Sequence, residues 1–298
     1  MSVLQCQFQK QPLARRRWLE ECAKEGVSLV ESGYTSSSYV NFQLESPMAV
    51  SFDNFNEELI KISETLEEEE RQRAALLADE WLKAESTFNG EAVKHTISIF
   101  GSARIPAPDQ CHEDNPCLTM AKYYAEAEEL SFMIGDYLEA EKLTDTRLIT
   151  GGGPGIMEAA SRGARRANHN SIGLNIVLPR EQQVNPFIAA KHSIEFQYFA
   201  LRKMHFLKRA KALLVFPGGF GTLDELFETL TLIQTGKMPR VPVFLYGDEF
   251  WDKVINIEHL ADCGMIDQAD IDLYHHVNSV ADAWQRLEPI LKTLNHRA

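Results

Sequence analysis

Two glycine-rich strings carry the first chemical signal in this chain. Thr150-Gly151-Gly152-Gly153-Pro154-Gly155 and Phe216-Pro217-Gly218-Gly219-Phe220-Gly221-Thr222 each follow an apolar run and precede a helical pattern. Glycines in a strand-to-helix turn let the backbone approach a ligand and take positive φ. Pro154 would suit a first helical position, where its missing N–H is not needed. The free N–H groups and the helix dipole then face one point, which makes an anion site. The plain alternative for one such loop is a tight turn, but three consecutive glycines exceed what a turn requires, and two such loops at the same sheet edge point to a phosphate-bearing ligand. A third loop, Gly101-Ser102-Ala103-Arg104, would add a hydroxyl and a guanidinium, or only a turn.

Two charged positions flank these loops. Thr222-Leu223-Asp224-Glu225 has the spacing of a capping box, in which Glu225 reaches back to the Thr222 N–H and stabilises the helix start by about 1 kcal/mol. Alternatively, a carboxylate one turn from an anion site would address another part of the ligand, meeting developing positive charge or orienting water. Arg202 and Lys203 lie near the start of a helix with Leu201, Met204 and Leu207 on its apolar face. Arg202 would share a face with His205 and Arg209, and an exposed basic face is the plain reading of that pattern.

Neither glycine string is a standard nucleotide fingerprint. A GxGxxG pattern fails because Ile156 or Asp224 stands where the third glycine belongs, and Gly236-Lys237 is followed by Met238, so no Walker A motif exists. No GxSxG elbow is present. Nicotinamide dehydrogenase, P-loop ATPase and serine hydrolase all lose ground. Cys111, His112 and Cys117 lack a second cluster to complete tetrahedral zinc, so no metal is expected.

Composition narrows the class further. The net charge of −13 disfavours nucleic acid and anionic membrane surfaces as partners. The longest apolar stretches, such as Ala212 to Phe216, fall far short of the ~20 residues that cross a bilayer, so a soluble protein is expected. Arg15-Arg16-Arg17 has no apolar segment beside it, which argues against a secretory signal. Five cysteines without a CxxC pair fit a reducing cytoplasm.

These residues need elements to hold them, and the pattern supplies an α/β succession. At 298 residues, with 44% apolar and 24% charged, the chain suits one large domain, or one domain plus an appended segment. Residues 53–85 hold eleven acids against four bases, with an apolar stripe through Phe55, Leu59, Ile62, Leu66, Leu77, Trp81 and Phe88. Residues 1–90 are therefore expected to form a mainly helical extension, and residues 91–298 a Rossmann-like domain. In the latter, strands are expected at Thr96–Phe100, Arg147–Thr150, Ser171–Val177, Ile194–Tyr198, Ala212–Phe216 and Val241–Tyr246. Helical patterns lie between and after them, near Leu118–Leu143, Ile156–Ala167, Leu201–Arg209, Leu223–Gln234, Trp251–Leu260 and Ala281–Leu294. Alternation of this kind implies a doubly wound, mostly parallel sheet, with ligands beyond the carboxyl ends of its strands.

With these residues assembled, the chain resembles the LONELY GUY family. The resemblance rests on Gly151-Gly152-Gly153-Pro154-Gly155-Ile156-Met157-Glu158, the Arg202-Lys203 pair and Pro217-Gly218-Gly219-Phe220-Gly221-Thr222-Leu223-Asp224-Glu225, a PGGxGTxxE string. It spans about residues 95–290. It implies hydrolysis of the N-glycosidic bond of a nucleoside 5′-monophosphate, giving free base and ribose 5-phosphate, with no metal or redox cofactor. By this similarity Arg202 and Glu225 would be the catalytic pair. Gly152, Gly153, Gly155, Gly218, Gly219, Gly221 and Thr222 would hold the 5′-phosphate, and Lys203 would line the same pocket. Glu158 would contact ribose or base, and Gly101 and Ser102 would complete the binding edge. A homodimer or higher homo-oligomer is also implied.

Many relatives carry the label "lysine decarboxylase", but pyridoxal phosphate chemistry needs a Schiff-base lysine, and no motif singles one out. Two features depart from the short plant-like members: residues 1–90 are extra, and Leu178 to Ser193 is a longer connection, placed to roof the pocket and set base specificity. A nucleotide-binding regulator without turnover is the alternative that uses the same loops.

Overall fold

A computed structural model of the chain describes residues 3–6, 29–31, 40–44, 59–110, 117–177 and 183–295. The chain divides into two compact units, Met1–Gln72 and Arg73–Ala298. In the first, strands β1 (Val3–Cys6), β2 (Leu29–Glu31) and β3 (Val40–Leu44) pair antiparallel in the order β1-β3-β2. These strands differ from the mainly helical extension expected over residues 1–90. Pairing between segments far apart in sequence leaves no local period to read. Arg15-Arg16-Arg17 and Phe55 lie outside the described residues, while Leu59, Ile62 and Leu66 of the expected docking stripe are exposed.

Helix α1 (Glu68–Gly90) supplies the other difference. From Arg73 onward it belongs to the second unit, where Ala84 and Phe88 are fully buried in the core. The boundary therefore falls after Gln72 rather than near residue 90. Burial of one helical face, at positions 84 and 88, ties this helix to the domain that follows it.

The second unit is built on a seven-stranded, wholly parallel sheet in the order β10-β9-β8-β4-β5-β6-β7. Its strands are β4 (His95–Phe100), β5 (Thr146–Thr150), β6 (Ile172–Ile176), β7 (Ser193–Phe196), β8 (Ala210–Val215), β9 (Val243–Tyr246) and β10 (His275–Val277). The helices are α2 (Ala121–Ala140), α3 (Ile156–Arg166), α4 (Phe199–Lys208), α5 (Phe220–Gln234), α6 (Asp248–Val254), α7 (Ile257–Asp262) and α8 (Val280–Leu294). The six expected strands are all present. Edge strand β10, where His275 and His276 sit, has only three residues and was not among them.

Side chains alternate across the sheet, so both faces are apolar and both are covered. Ile97, Ile99, Ala212 and Leu214 pack with Leu130, Ile134, Ala160 and Leu287, from α2, α3 and α8. Leu213, Val215, Val243 and Leu245 pack with Phe88, Phe206, Leu226 and Trp251, from α1, α4, α5 and α6. This two-sided burial explains why Ala212 to Phe216 is one continuous apolar run. From β4 the chain winds outward to β7, then returns to β8 on the other side of β4. The order reverses between β4 and β8, where Phe100 and Val215 end level. Doubly wound sheets open a ligand crevice at such a switch point.

Candidate active site at the sheet switch point

A cleft of about 580 Å³ opens beyond the ends of β4, β5 and β8. It brings together Gly101, Ser102, Arg104, Gly151, Met157, Phe199, Arg202, Gly219, Gly221, Thr222 and Glu225. The three sequence loops thus converge as their positions after strands require. A larger opening of about 740 Å³ lies between α1 and residues 184–197, and none of the three loops lines it.

Helix α5 begins at Phe220 with Gly219 as its N-cap, and no side chain caps it. The capping box expected at Thr222 is therefore absent. Both Thr222 and Glu225 lie inside the helix, because helical backbone starts two residues before Thr222. Freed from that role, Glu225 is only 6% exposed and faces Arg202, with Nη1 to Oε1 at 3.9 Å. Its Oε2 is buried without a hydrogen-bond partner. Burial pushes the carboxyl pKa up to about 7, against the opposing pull of the Arg202 cation.

Arg202 sits on α4, its side chain 12% exposed, and donates from Nε to Leu174 O at 2.8 Å, with its guanidinium over the Phe206 ring. Burial lowers its pKa, and Glu225 and Asp224 oppose that shift. Arg209 turns away to Glu85 and the Val93 carbonyl, and His205 is fully buried. The exposed basic face suggested by their spacing does not form: Arg202 turns to the Leu174 carbonyl and Glu225, while His205 and Arg209 both turn to Glu85.

The first glycine loop contributes less than its three glycines suggest. Gly151 lines the cleft, whereas Gly152, Gly153 and Gly155 do not. Asn185 holds this loop instead: its N–H donates to Gly152 O at 2.9 Å, and its Nδ2 donates to the Gly152 and Gly153 carbonyls at 3.1 and 3.2 Å. Gly155, the N-cap of α3 with φ 69°, is a true glycine requirement, because a Cβ there would run into the Ser102 carbonyl. Pro154 thus precedes the cap and is not the first helical residue. By contrast, a Cβ at Gly219 or Gly221 would meet nothing within 4 Å. Those two glycines leave space rather than relieve a clash.

Three other expected site residues also stand apart from the cleft lining. Lys203 Nζ is held by Asp224 at 3.1 Å and Glu228 at 3.2 Å, ion pairs that raise its pKa against the effect of burial. Glu158 Oε1 accepts from the Tyr124 hydroxyl at 2.9 Å. Gly218 backs onto the Thr222 side chain. Residues 183–193, expected to roof the cleft, buttress the first loop through Asn185, and residues 178–182 lie outside the described residues. No periodicity or motif marks Asn185 beforehand. Met157, Phe199 and Phe220 are the apolar lining that sequence reasoning did not assign, and Phe220 is 92% exposed.

A pyridoxal cofactor does not fit this donor set. The cleft lining contains no lysine, and Lys203, the nearest in sequence to Arg202, has a raised pKa where a Schiff-base amine needs a lowered one. No group of three or more metal-binding side chains occurs among the described residues, and Cys111 and His112 fall outside them.

The sheet and its switch-point cleft define a Rossmann-like, doubly wound α/β protein. A model of the family described as "Possible lysine decarboxylase" matches residues 157–287. The cytokinin riboside 5′-monophosphate phosphoribohydrolase LOG7 of Arabidopsis thaliana is 28% identical over 144 residues, which cover 47% of this chain and 63% of that relative. The phosphoribohydrolase LOG of Oryza sativa subsp. japonica is 29% identical over 117 residues, 38% of this chain and 47% of that protein. The chain therefore spans less than two thirds of the length of either curated relative. Among solved structures, the molybdenum cofactor binding protein of Rippkaea orientalis aligns over 66% of this chain and 98% of its own, at 21% identity and a TM-score of 0.45. These sequence matches support the resemblance of this part of the chain to the LONELY GUY family.

Proposed function

We propose that the chain hydrolyses the N-glycosidic bond of a nucleoside 5′-monophosphate to free base and ribose 5-phosphate. The observation that carries this reading is Glu225: a buried carboxyl with one unpartnered oxygen, set 3.9 Å from the Arg202 guanidinium in the wall of the cleft. Departure of the base leaves positive charge at C1′ of the ribose. An ionised carboxylate stabilises that charge and accepts a proton from the water that bonds to C1′, while the cleaved bond's electrons leave with the base nitrogen, which then takes up that proton to give free base and the ionised carboxylate again. A carboxyl poised near neutrality by burial suits this exchange.

The 5′-phosphate is assigned to the N-terminus of α5, where Gly219, Gly221 and Thr222 line the cleft and the helix dipole is positive. Ser102 and the Arg104 guanidinium stand on the same lining. Met157, Phe199 and Phe220 offer an apolar wall for a planar base. Exposed Phe199, Met204, Phe220 and Phe227 favour a homodimer or higher homo-oligomer, and the cysteine usage favours a cytoplasmic setting.

The test is to incubate the full chain with AMP, GMP, CMP, UMP and IMP and measure free base. Release from at least one supports the enzyme. Binding without release assigns the same cleft to a nucleotide-sensing regulator.

A further inference from the structure

Helix α1 supplies none of the cleft-lining residues, yet its acidic side chains meet α4, the helix of Arg202, at both ends. At the start, buried Glu80 accepts the Gln197 N–H at 2.8 Å and the Tyr198 N–H at 3.4 Å. Tyr198 is the N-cap of α4 and provides no side-chain cap of its own. Glu80 therefore satisfies backbone donors at the positive end of the helix dipole. At the other end, Glu85 takes the Arg209 guanidinium in two bonds, at 2.7 and 3.0 Å, and Lys208 Nζ at 2.9 Å. Those contacts, the Arg209 hydrogen bonds foremost, hold the Glu85 pKa down to about 2.

Between the two carboxylates the helices pack through rings. His205 lies 4.5 Å from Trp81 and 6.0 Å from Phe88, centroid to centroid, and burial keeps it neutral down to about pH 4. Lys208 and Arg209 lie over the Trp81 and Phe88 rings. Positions 80, 81, 84, 85 and 88 form one face of α1, and that face is turned to α4.

Arg202 needs such support because its contact with Glu225 is loose. At 3.9 Å the pair makes no hydrogen bond, so its separation depends on where the backbones of α4 and α5 are held and on the Arg202 bond to the Leu174 carbonyl. We propose that Glu80 and Glu85 are positioning residues, clamping α4 at its two ends and thereby setting the Arg202 guanidinium against Glu225. The catalytic part of this proposal rests on the reading of Arg202 and Glu225 as the reacting pair.

The test uses the full chain with Glu80→Ala, Glu80→Gln and Glu85→Gln. Glu139→Ala is the control, since Glu139 makes a carboxylate–histidine contact with His169 at 2.7 Å on the opposite face of the sheet. Three quantities are measured: kcat and KM on the nucleoside monophosphate, melting temperature, and the Glu225 titration by carboxyl ¹³C NMR without substrate. Glu80→Ala and Glu85→Gln should lower kcat by about 10- to 100-fold with KM held within about two-fold. They should also move the Glu225 titration to higher pH as Arg202 withdraws. Glu80→Gln, which keeps one acceptor oxygen, should recover most of the loss. Glu139→Ala should lower the melting temperature and leave kcat and the titration alone. Folded Glu80 and Glu85 variants with wild-type kcat and an unmoved Glu225 titration would overturn the clamp. If Glu80→Ala fails to fold, the two Gln variants decide the matter. If no nucleoside monophosphate is hydrolysed by the wild type, the reaction assignment fails, and the titration alone still upholds or overturns the clamp.

Discussion

Arg202 approaches Glu225 to 3.9 Å inside a wall that buries both, close enough to lower the carboxyl pKa yet too far to hydrogen-bond it. Desolvation outweighs the cation, and Glu225 settles near pH 7. Both groups therefore remain available to a ligand, and most of the expected behaviour of this protein follows from that balance.

Replacing Glu225 by Gln removes the charge without changing the size of the side chain. Catalysis should fall by ~10² to 10⁴ while the fold persists. The folded pKa lies above the ordinary value of 4.5, so Glu225 favours folding at low pH and that contribution is lost as pH rises through about 7. The wild type should lose melting temperature relative to Glu225→Gln between pH 5 and pH 8. Near-wild-type kcat in a normally folded variant would leave the mechanism without its carboxylate.

Turnover should climb with pH as Glu225 ionises, along a limb centred near 7. Arg202→Ala removes the cation that opposes this shift, so the limb should move to higher pH and the plateau should drop. A pH–kcat profile checks both. An unmoved limb in the variant would separate Arg202 from Glu225.

The glycines divide into two kinds, and alanine should distinguish them. Gly155→Ala places a methyl against the Ser102 carbonyl at a backbone with φ 69°, and should cost more than ~1 kcal/mol of stability. Gly221→Ala meets no protein atom within 4 Å, so its melting temperature should hold, while the methyl enters the cleft and weakens nucleotide binding. Calorimetric titration with AMP beside thermal melts reads the two effects.

If the proposed assignment holds, a nucleoside should be a far poorer substrate than its 5′-phosphate, because it carries no anionic group for the N-terminus of α5. A dianion there is worth on the order of 0.3 to 1 kcal/mol from the dipole alone, and more when partly buried. Equal kcat/KM for adenosine and AMP would remove the phosphate from the assignment.

Asn185 ties the first glycine loop down through two carbonyls while 4% exposed. Asn185→Ala leaves these acceptors buried and unpaired, which costs about 1–3 kcal/mol. Loss of melting temperature is expected together with a raised KM, since Gly151 stands on the cleft. A silent substitution would show that the loop holds its shape alone.

The order of strands and helices, the parallel sheet and the convergence of three loops were legible because they depend on local apolar period and on turn residues, which neighbours in sequence display. Arg202 and Glu225 were legible as a catalytic pair only through the resemblance to the LONELY GUY family, since their spacing alone reads as a basic face and a helix cap. Tertiary structure decided what the spacing left open. The T-x-x-E string from Thr222 to Glu225 has the form of a cap, but the helix starts at Phe220 and turns Glu225 into the wall. Lys203 adjoins Arg202 in sequence, yet Asp224 and Glu228 hold its amine outside the cleft lining. Glu80 and Glu85 look like members of an acidic solvated run, and only the packing of α1 brings them to the ends of α4. Burial, partner and pKa belong to surroundings assembled from distant segments, whereas helix, strand and turn are written in adjacent residues.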